Sequence, residues 1–145
     1  MAPSIFTRAV LEGRTLDVFN EGRMQRDFTY IDDIVEGVVR VSAQPAAPAA
    51  EWDPAHPDPG ISGAPYRIYN IGNHQPVELL HFIEVIERCT GKKAQLRMCP
   101  MQPGDVVSTC ADIDALSAAV GFRPSTPLEV GMERFVGWFR DYYRM

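Results

Sequence analysis

The chain has 145 residues, of which 46% are hydrophobic and 23% charged, a balance typical of one ordinary globular domain with its own core. Its formal net charge of −5 excludes a general nucleic-acid binder, because affinity for the phosphate backbone comes from clustered Lys and Arg. No apolar run approaches the roughly 20 residues that cross a bilayer, and the first four residues do not resemble a secretory signal, so we expect no membrane association and a cytoplasmic location.

The beginning of the chain predicts a helix, a short strand and a turn. Residues 3–13 place apolar side chains on one side of a helix, which Gly13 is expected to end. Residues 15–19 alternate in the manner of a brief strand. Asn20-Glu21-Gly22 has the composition of a turn, so the chain reverses before the next element.

Two arginines then lead directly into a predicted strand and helix. The aromatic and β-branched residues 28–31 predict the strand, and Asp32 or Asp33 is expected to cap the helix after it. This order places Arg23 and Arg26 at the mouth of a strand-to-helix turn, where a guanidinium can bind a phosphate or carboxylate as a planar fork. Alternatively, an arginine serves structure alone by pairing with a nearby acid, namely Glu21, Asp27 or Asp32.

A proline- and alanine-rich segment interrupts the chain over residues 43–60, because it cannot sustain a helix or a central strand. We therefore expect a single portion made of a strand and helix segment (1–43), an exposed loop (44–64) and a second segment (65–145). Trp52 is the aromatic residue of this loop, and we expect it to dock on a surface as structure rather than as a ligand contact.

The segment after the loop alternates between strands and helices. It predicts a strand at Tyr66–Ile71, a helix from Pro76 to Thr90, a strand at 94–98, a helix from Asp112 or Asp114 to Gly121, and a last helix from Pro127. Such alternation indicates an α/β protein. The last helix carries aromatic residues at helical spacing, which we expect to be core, at Phe135, Trp138, Phe139 and Tyr142.

Cysteine and histidine do not indicate a metal site. The cysteines are odd in number and have no paired spacing, so we expect reduced thiols at Cys89, Cys99 and Cys110. The histidines are scattered over a loop, a turn and a helix, at His56, His74 and His81. Zinc sites require closely spaced ligands, so no metal is expected.

Four short motifs occur in an order that resembles a known family over nearly the whole chain. They are Phe-Asn-Glu-Gly-x-x-x-Arg-Asp-Phe-x-Tyr-Ile-Asp-Asp-Ile from Phe19, Tyr-Asn-Ile-Gly-Asn from Tyr69, Gln-Pro-Gly-Asp-Val from Gln102 and Gly-Phe-x-Pro-x-Thr-Pro-Leu from Gly121. Together they resemble the C-terminal, substrate-binding portion of Rossmann-type extended short-chain dehydrogenases. More narrowly, the chain is similar to the NAD-dependent UDP-glucuronate 4-epimerases.

This resemblance implies a UDP-sugar partner and a set of contacts to it. Arg26 corresponds to an arginine that binds the diphosphate, while Val18 and Phe19 match the segment beside the uracil. Asp105 matches an acid that accepts hydrogen bonds from a ribose hydroxyl, although Gly-Asp also occurs as a turn cap. Gln102 stands where galactose-type relatives have an arginine, so that contact is left open.

The resemblance also identifies what the sequence lacks. The family's glycine-rich turn, which binds the pyrophosphate of NAD, has no counterpart in these residues. The family's catalytic Tyr-x-x-x-Lys pair is also missing, because the residues four positions before Lys92 and Lys93 are Arg88 and Cys89. The resemblance thus implies an N-terminal dinucleotide-binding part outside this sequence, so that Met1 looks like an internal methionine and the chain like a fragment or a sequence with a misassigned start. We expect no catalytic residue and no bound NAD in this chain alone.

The leading hypothesis is therefore the UDP-sugar-binding C-terminal part of an NAD-dependent epimerase, inactive alone. The same portion of a sister dehydratase or decarboxylase, or a non-catalytic binding module, is the alternative. Arg23 is a second cation that could reach the sugar carboxylate. We also expect self-association through the exposed edge of the strand at Tyr66–Ile71.

Overall fold

The computed structural model describes residues 2–145, which form five α-helices and four short strands. In chain order these are α1 (Ala2–Glu12), β1 (Thr15–Val18), β2 (Gln25–Asp27), α2 (Ile31–Ser42), β3 (Pro76–Glu78), α3 (Leu79–Thr90), β4 (Gln95–Met98), α4 (Asp114–Val120) and α5 (Leu128–Tyr143). The chain divides into two compact units. The first contains the described residues up to Phe28 with Gln75–Cys110 and Thr126–Met145, and the second contains Thr29–His74 and Ala111–Ser125.

The first unit is organised around α3, which packs against both α1 and α5. Strands β1 and β4 run parallel, with Leu16 opposite Leu96. Strands β2 and β3 run antiparallel, with Arg26 opposite Val77. Because β3 continues directly into α3, the pairing of β2 with β3 ties the arginine-bearing strand to the central helix of this unit.

The core of the first unit collects apolar side chains from all three of its helices and from β1. Phe82 on α3 is completely buried and stacks on Phe28 with ring centroids 4.4 Å apart. The other members of the cluster are also buried, at Ala9, Val10, Leu16, Val85, Ile86, Met132 and Val136. Burial of each large apolar side chain contributes about 1.5–3 kcal/mol relative to exposure, so this cluster is the main source of stability for the unit.

Basic side chains bind the free carbonyls at two helix ends of the first unit. Lys92 Nζ donates a hydrogen bond to Leu11 O at 2.6 Å, near the end of α1. Arg140 donates to Thr90 O at 2.6 Å, at the end of α3. Cations are favourable there because the last carbonyls of a helix lack intrahelical partners and carry partial negative charge.

The second unit is built by α2, α4 and the loop between α2 and β3. Gly37 of α2 allows a close approach, because an added Cβ would lie 2.3 Å from Ile71 Cδ1 and 3.6 Å from Phe122. Arg40 lies over the Phe122 ring, 4.9 Å from its centroid. The opposite side of α2 leaves an apolar stripe exposed, at Ile31, Val35, Val38 and Val39.

The structure confirms the five predicted helices, apart from the first three residues of the third, and the strands β1 and β4. Helix α3 ends at Gly91 and α4 at Gly121, both left-handed as expected for a C-terminal cap. The loop at residues 43–60 contains no helix or strand. Trp52 is half-buried beside Gly63, whose Cβ position would lie 3.1 Å from the indole ring. No helix among the described residues has the length and apolarity needed to span a membrane.

Two predicted strands are wrong. The strand expected at residues 28–31 lies earlier, at Gln25–Asp27, because β3 pairs with those residues. Helix α2 follows, and its N-cap residue is Tyr30 rather than the predicted aspartate. Residues 76–78, expected as helix, form β3. Residues 66–71 form no strand beyond one bridge between Ile61 and Arg67, since no other strand pairs with them in the described chain. Self-association stays an untested prediction, without that edge strand as its basis.

The prediction for α5 is correct for only part of its aromatic face. Phe139 is buried and Phe135 packs against the core cluster. Trp138 and Tyr142, also predicted as core, have 51% and 67% of their surfaces exposed. The reason is geometric, because the buried face of α5 is set by Met132, Val136 and Phe139 at i, i+4 and i+7, and the other two rings project beside it.

Candidate functional site

Strand β2 holds Arg26 in place through backbone pairing on both of its sides. On one side it pairs with β3. On the other, Gln25 N donates to Val107 O at 2.8 Å and Thr109 N donates to Gln25 O at 3.3 Å. The segment that contains the predicted acid Asp105 is therefore fixed alongside the predicted arginine, although the two are distant in sequence.

Arg26 and Asp105 form an ion pair across 79 positions of sequence, with Arg26 Nη2 2.9 Å from Asp105 Oδ1. Their side chains are 28% and 33% exposed. Arg26 Nη1 also donates to the backbone carbonyls of Gln25 at 2.7 Å and Val107 at 3.3 Å. The guanidinium is thus held at three points, and among the described residues Nε–H and one N–H of Nη2 remain as donors.

Asp105 sits at the end of a tight turn. Its N–H donates to Gln102 O at 3.2 Å, and Gly104 within the turn has φ +82°. The carboxylate atom Oδ1 also accepts the N–H of Val106 at 2.8 Å. The turn-capping role and the ion pair therefore coexist in one carboxylate, whose second oxygen accepts no hydrogen bond among the described residues.

A cleft of about 430 Å³ opens beside this ion pair. Arg26, Asp105 and Phe19 line it together with apolar side chains of α1 and the core, including Phe6 and Phe28. A cationic donor, an anionic acceptor and an aromatic wall thus share one concave surface. This combination suits a ligand with an anionic part, hydroxyl groups and a flat ring.

The side chains of the other predicted site residues do not line the cleft. Val18 is completely buried, and its carbonyl accepts a hydrogen bond from Cys99 N at 2.9 Å, so its side chain does not face the cleft. Gln102 closes the turn through its backbone and is not among the residues that line the cleft. Arg23 pairs with Glu21 in the preceding turn and is 74% exposed, which matches the purely structural alternative.

Sequence reasoning missed three polar residues of the cleft, Arg14, Thr15 and Asp17. Asp17 receives two hydrogen bonds from Arg97 on β4, at 2.6 and 2.8 Å. The hydrogen bonding with Arg97 lowers the pKa of the Asp17 carboxyl. The signal was present in β1, where Leu16 and Val18 are buried and the alternation of a strand places Asp17, between them, on the opposite face.

No cysteine or histidine is among the described residues that line this cleft. Burial, followed by the charge of Glu133, raises the pKa of the Cys89 thiol. His81 contacts Glu129 Oε1 at 3.1 Å on the surface between α3 and α5. No group of three or more His, Cys, Asp or Glu side chains in the described part of the chain is arranged to hold a metal ion.

Comparison with known proteins identifies the relatives of this chain. Residues 2–72 match the model of the NAD dependent epimerase/dehydratase family. Protein CapI of Staphylococcus aureus is 47% identical over 144 residues, and a probable UDP-glucuronate 4-epimerase of Rhizobium meliloti is 46% identical over 145. The family model thus matches 71 of the 145 residues, and the chain resembles members of this family.

Within this family, the chain resembles the UDP-glucuronate 4-epimerases in structure as well as sequence. A crystal structure of UDP-glucuronic acid 4-epimerase from Bacillus cereus, in complex with UDP-glucuronic acid and NAD, superposes with a TM-score of 0.76 at 28% identity. This confirms the predicted Rossmann-type α/β class. The comparison covers 99% of this chain and 40% of that structure. Likewise, the chain spans 43% of CapI and 42% of the Rhizobium protein.

Proposed function

We propose that this chain supplies the UDP-binding surface of an NAD-dependent UDP-glucuronate 4-epimerase. Relatives with that activity in their names support the proposal, at 46% identity in Rhizobium meliloti and 36% in Arabidopsis thaliana. Because the chain spans less than half of these relatives, the epimerisation belongs to the whole protein in this proposal. The chain alone contributes affinity for the nucleotide part of the substrate.

The observation that carries the proposal is the meeting of Arg26 and Asp105 beside one cleft. The two free donors of Arg26 can bind diphosphate oxygens as charge-assisted hydrogen bonds. The second carboxylate oxygen of Asp105 can accept a ribose hydroxyl, and the half-buried ring of Phe19 offers a wall for the uracil. In this proposal the buried side chain of Val18 and the exposed side chain of Gln102 do not contact the ligand, since neither lines the cleft, and Arg23 is a peripheral cation.

The residues of this chain do not fit an NAD site. A dinucleotide site places a glycine-rich turn between a strand and the N-terminus of a helix. In the described residues, β3 passes directly into α3 at Glu78 and Leu79, with no glycine at the junction. The chain also lacks the Tyr-x-x-x-Lys pair. We therefore propose that it neither binds NAD nor catalyses epimerisation alone.

Calorimetric titration of the 145-residue chain with UDP tests this proposal. We expect measurable binding that Arg26→Gln weakens by roughly 10- to 100-fold, the range for hydrogen bonds to charged groups. Arg88→Gln is the matched control, because it removes an exposed guanidinium on α3 whose carboxylate partner is 3.7 Å away. Absence of UDP binding, or equal effects of the two variants, would contradict the proposed site.

Incubation with UDP-glucuronate and added NAD tests the catalytic part of the proposal. We expect no UDP-galacturonate, because a surface that only binds the nucleotide cannot by itself transfer the hydrogen at the sugar carbon. Proton NMR of the anomeric region separates the two sugars. Net conversion by the isolated chain would overturn the proposed division between binding and catalysis.

A further inference from the structure

Helix α5 buries one side and leaves the opposite side exposed. The buried side is the line of Met132, Val136 and Phe139. Exposed residues recur at helical spacing along the other side, and we call them the outer face of α5, at Val130, Arg134, Gly137, Trp138 and Asp141. None of these residues lines the cleft, so the outer face does not belong to the proposed UDP site.

The middle of the outer face combines an open glycine with a large exposed ring. Apart from the chain neighbours and the helix backbone, no heavy atom of the described residues lies within 4 Å of the Cβ position of Gly137. A glycine inside a helix costs stability relative to alanine, but it lets another backbone approach closely. Trp138 follows, and its exposed ring stacks on Tyr142 with ring centroids 5.3 Å apart. Apolar surface therefore lies beside a gap that a neighbouring helix can occupy.

The charges of the outer face are arranged symmetrically about this point. Arg134 lies three residues before Gly137, and Asp141 lies three residues after Trp138. When two copies of α5 pack antiparallel, with the junction of Gly137 and Trp138 at the centre, Arg134 of each copy lies opposite Asp141 of the other. Parallel packing in register would instead place like charges opposite each other. The outer face is thus complementary in charge to a second, antiparallel copy of itself.

We propose that the outer face of α5 binds a second copy of this chain, as an antiparallel helix pair with two-fold symmetry. Burial of the Trp138 rings supplies the attraction, and the charge pairs fix the register and the orientation. The 16 residues of α5 span about 24 Å. A face of this size buries less than the roughly 1,200 Å² of a standard interface, so we expect a weak dimer with a dissociation constant on the order of 100 μM.

Sedimentation equilibrium of the 145-residue chain tests this association. Between about 10 μM and about 1 mM, on either side of the expected dissociation constant, the mean mass should rise from that of a monomer towards twice that value. Arg134→Glu places two carboxylates opposite each other, and Asp141→Arg places two guanidinium groups opposite each other. Because two-fold symmetry repeats each change, either variant should weaken self-association by roughly tenfold.

A mixture of these two variants tests the orientation. In a mixed antiparallel pair, the new glutamate of one chain faces the new arginine of the other, and the original Asp141 faces the original Arg134. Two chains that no longer self-associate should therefore bind each other with nearly the affinity of the original pair. The double variant, which carries Arg134→Glu and Asp141→Arg in one chain, should likewise self-associate again.

Gly137→Gln tests the close approach of the two helices without a change of charge. Its side chain has room in the monomer, and glutamine is a better helix former than glycine. The melting temperature should therefore not fall, while self-association is lost. Arg88→Glu is the matched control, because it makes the same charge change as Arg134→Glu at an exposed position of α3. It should leave self-association unchanged.

Circular dichroism of each variant verifies that it is folded, and three results would overturn the proposal. A chain that stays monomeric at the highest concentration does not form the contact. Self-association that neither Arg134→Glu nor Asp141→Arg weakens uses a different surface. If each variant loses self-association and their mixture does not regain it, the two helices do not pair antiparallel in this register.

Discussion

Replacement of Gly22 by alanine tests the turn that carries Phe19 into the cleft. Gly22 has φ +78°, a left-handed conformation that costs an L-residue about 1–2 kcal/mol. The added Cβ would also lie 2.8 Å from Leu80 Cγ and Cδ2, closer than such atoms approach. Leu80 is 37% exposed, so its side chain can swing away at a cost of about 0.5–1.5 kcal/mol. We expect a total loss of about 1.5–3.5 kcal/mol.

Gly13→Ala is the matched control for the backbone part of this cost. Gly13 has φ +69°, and nothing lies within 4 Å of the position of its added Cβ. Gly13→Ala should therefore lose only the cost of placing an L-residue in the left-handed conformation, about 1–2 kcal/mol of unfolding free energy. Urea unfolding followed by circular dichroism gives both values, provided the m-value stays constant. The difference between the two variants measures the contact with Leu80.

A double variant that combines Gly22→Ala with Leu80→Ala separates the backbone cost from the cost of the contact with Leu80. In that background the added methyl group of Gly22→Ala has space, so its cost should fall to that of Gly13→Ala. Equal losses for the two single variants would show that the Leu80 contact has no energetic weight. Neutral behaviour of both would refute the left-handed backbone argument itself.

Three further predictions concern other parts of the first unit. Asp17→Asn should flatten the loss of stability in acid, because Arg97 lowers the pKa of the Asp17 carboxyl below its ordinary value of 3.8. The stabilising contribution of Asp17 is therefore present above pH 3.8 and is lost as the pH falls through the pKa of the folded state. Urea midpoints measured from neutral pH down into this acid range check this, and an unchanged slope would contradict it. Phe82→Ala should cost about 3–5 kcal/mol in urea unfolding, because it empties a completely buried ring site, whereas a loss under about 1 kcal/mol would place the core elsewhere. Trp138→Ser should cost less than about 1 kcal/mol while Phe139→Ala costs about 3–5 in the same assay, since only Phe139 is buried. Comparable losses would contradict the assigned buried face of α5.

Helices could be predicted from the sequence because their signals are local. Glycines that adopt left-handed conformations end α3 and α4, and apolar residues repeat at helical spacing along α3. Strands depend on a partner that the local sequence does not specify. Residues 28–31 have better strand composition than Gln25–Asp27, yet β3 pairs with the latter, and the chain follows the available hydrogen bonds.

The aromatic stripe of α5 shows the same limit within a helix. Periodicity predicts which side chains lie near one another, but it does not give the width of the face that a neighbour covers. Met132, Val136 and Phe139 are buried where α5 packs in the first unit, whereas Trp138 and Tyr142 stay exposed at the margin of that face. The margin of a packed face is decided by tertiary contact, so the sequence alone overestimated the core.

Arg23 and Arg26 show what the sequence could and could not determine at the site. They are three residues apart and chemically identical, and the sequence favoured Arg26 only by resemblance. The structure separates them, because Arg23 leaves the turn at 74% exposure beside Glu21, whereas Arg26 lies on a strand paired on both sides and meets Asp105. A strand fixes the direction of a side chain, and an exposed turn does not. Arg26 therefore has less conformational entropy to lose when it binds an anion, which is the physical reason for proposing Arg26 rather than Arg23 as the diphosphate-binding residue.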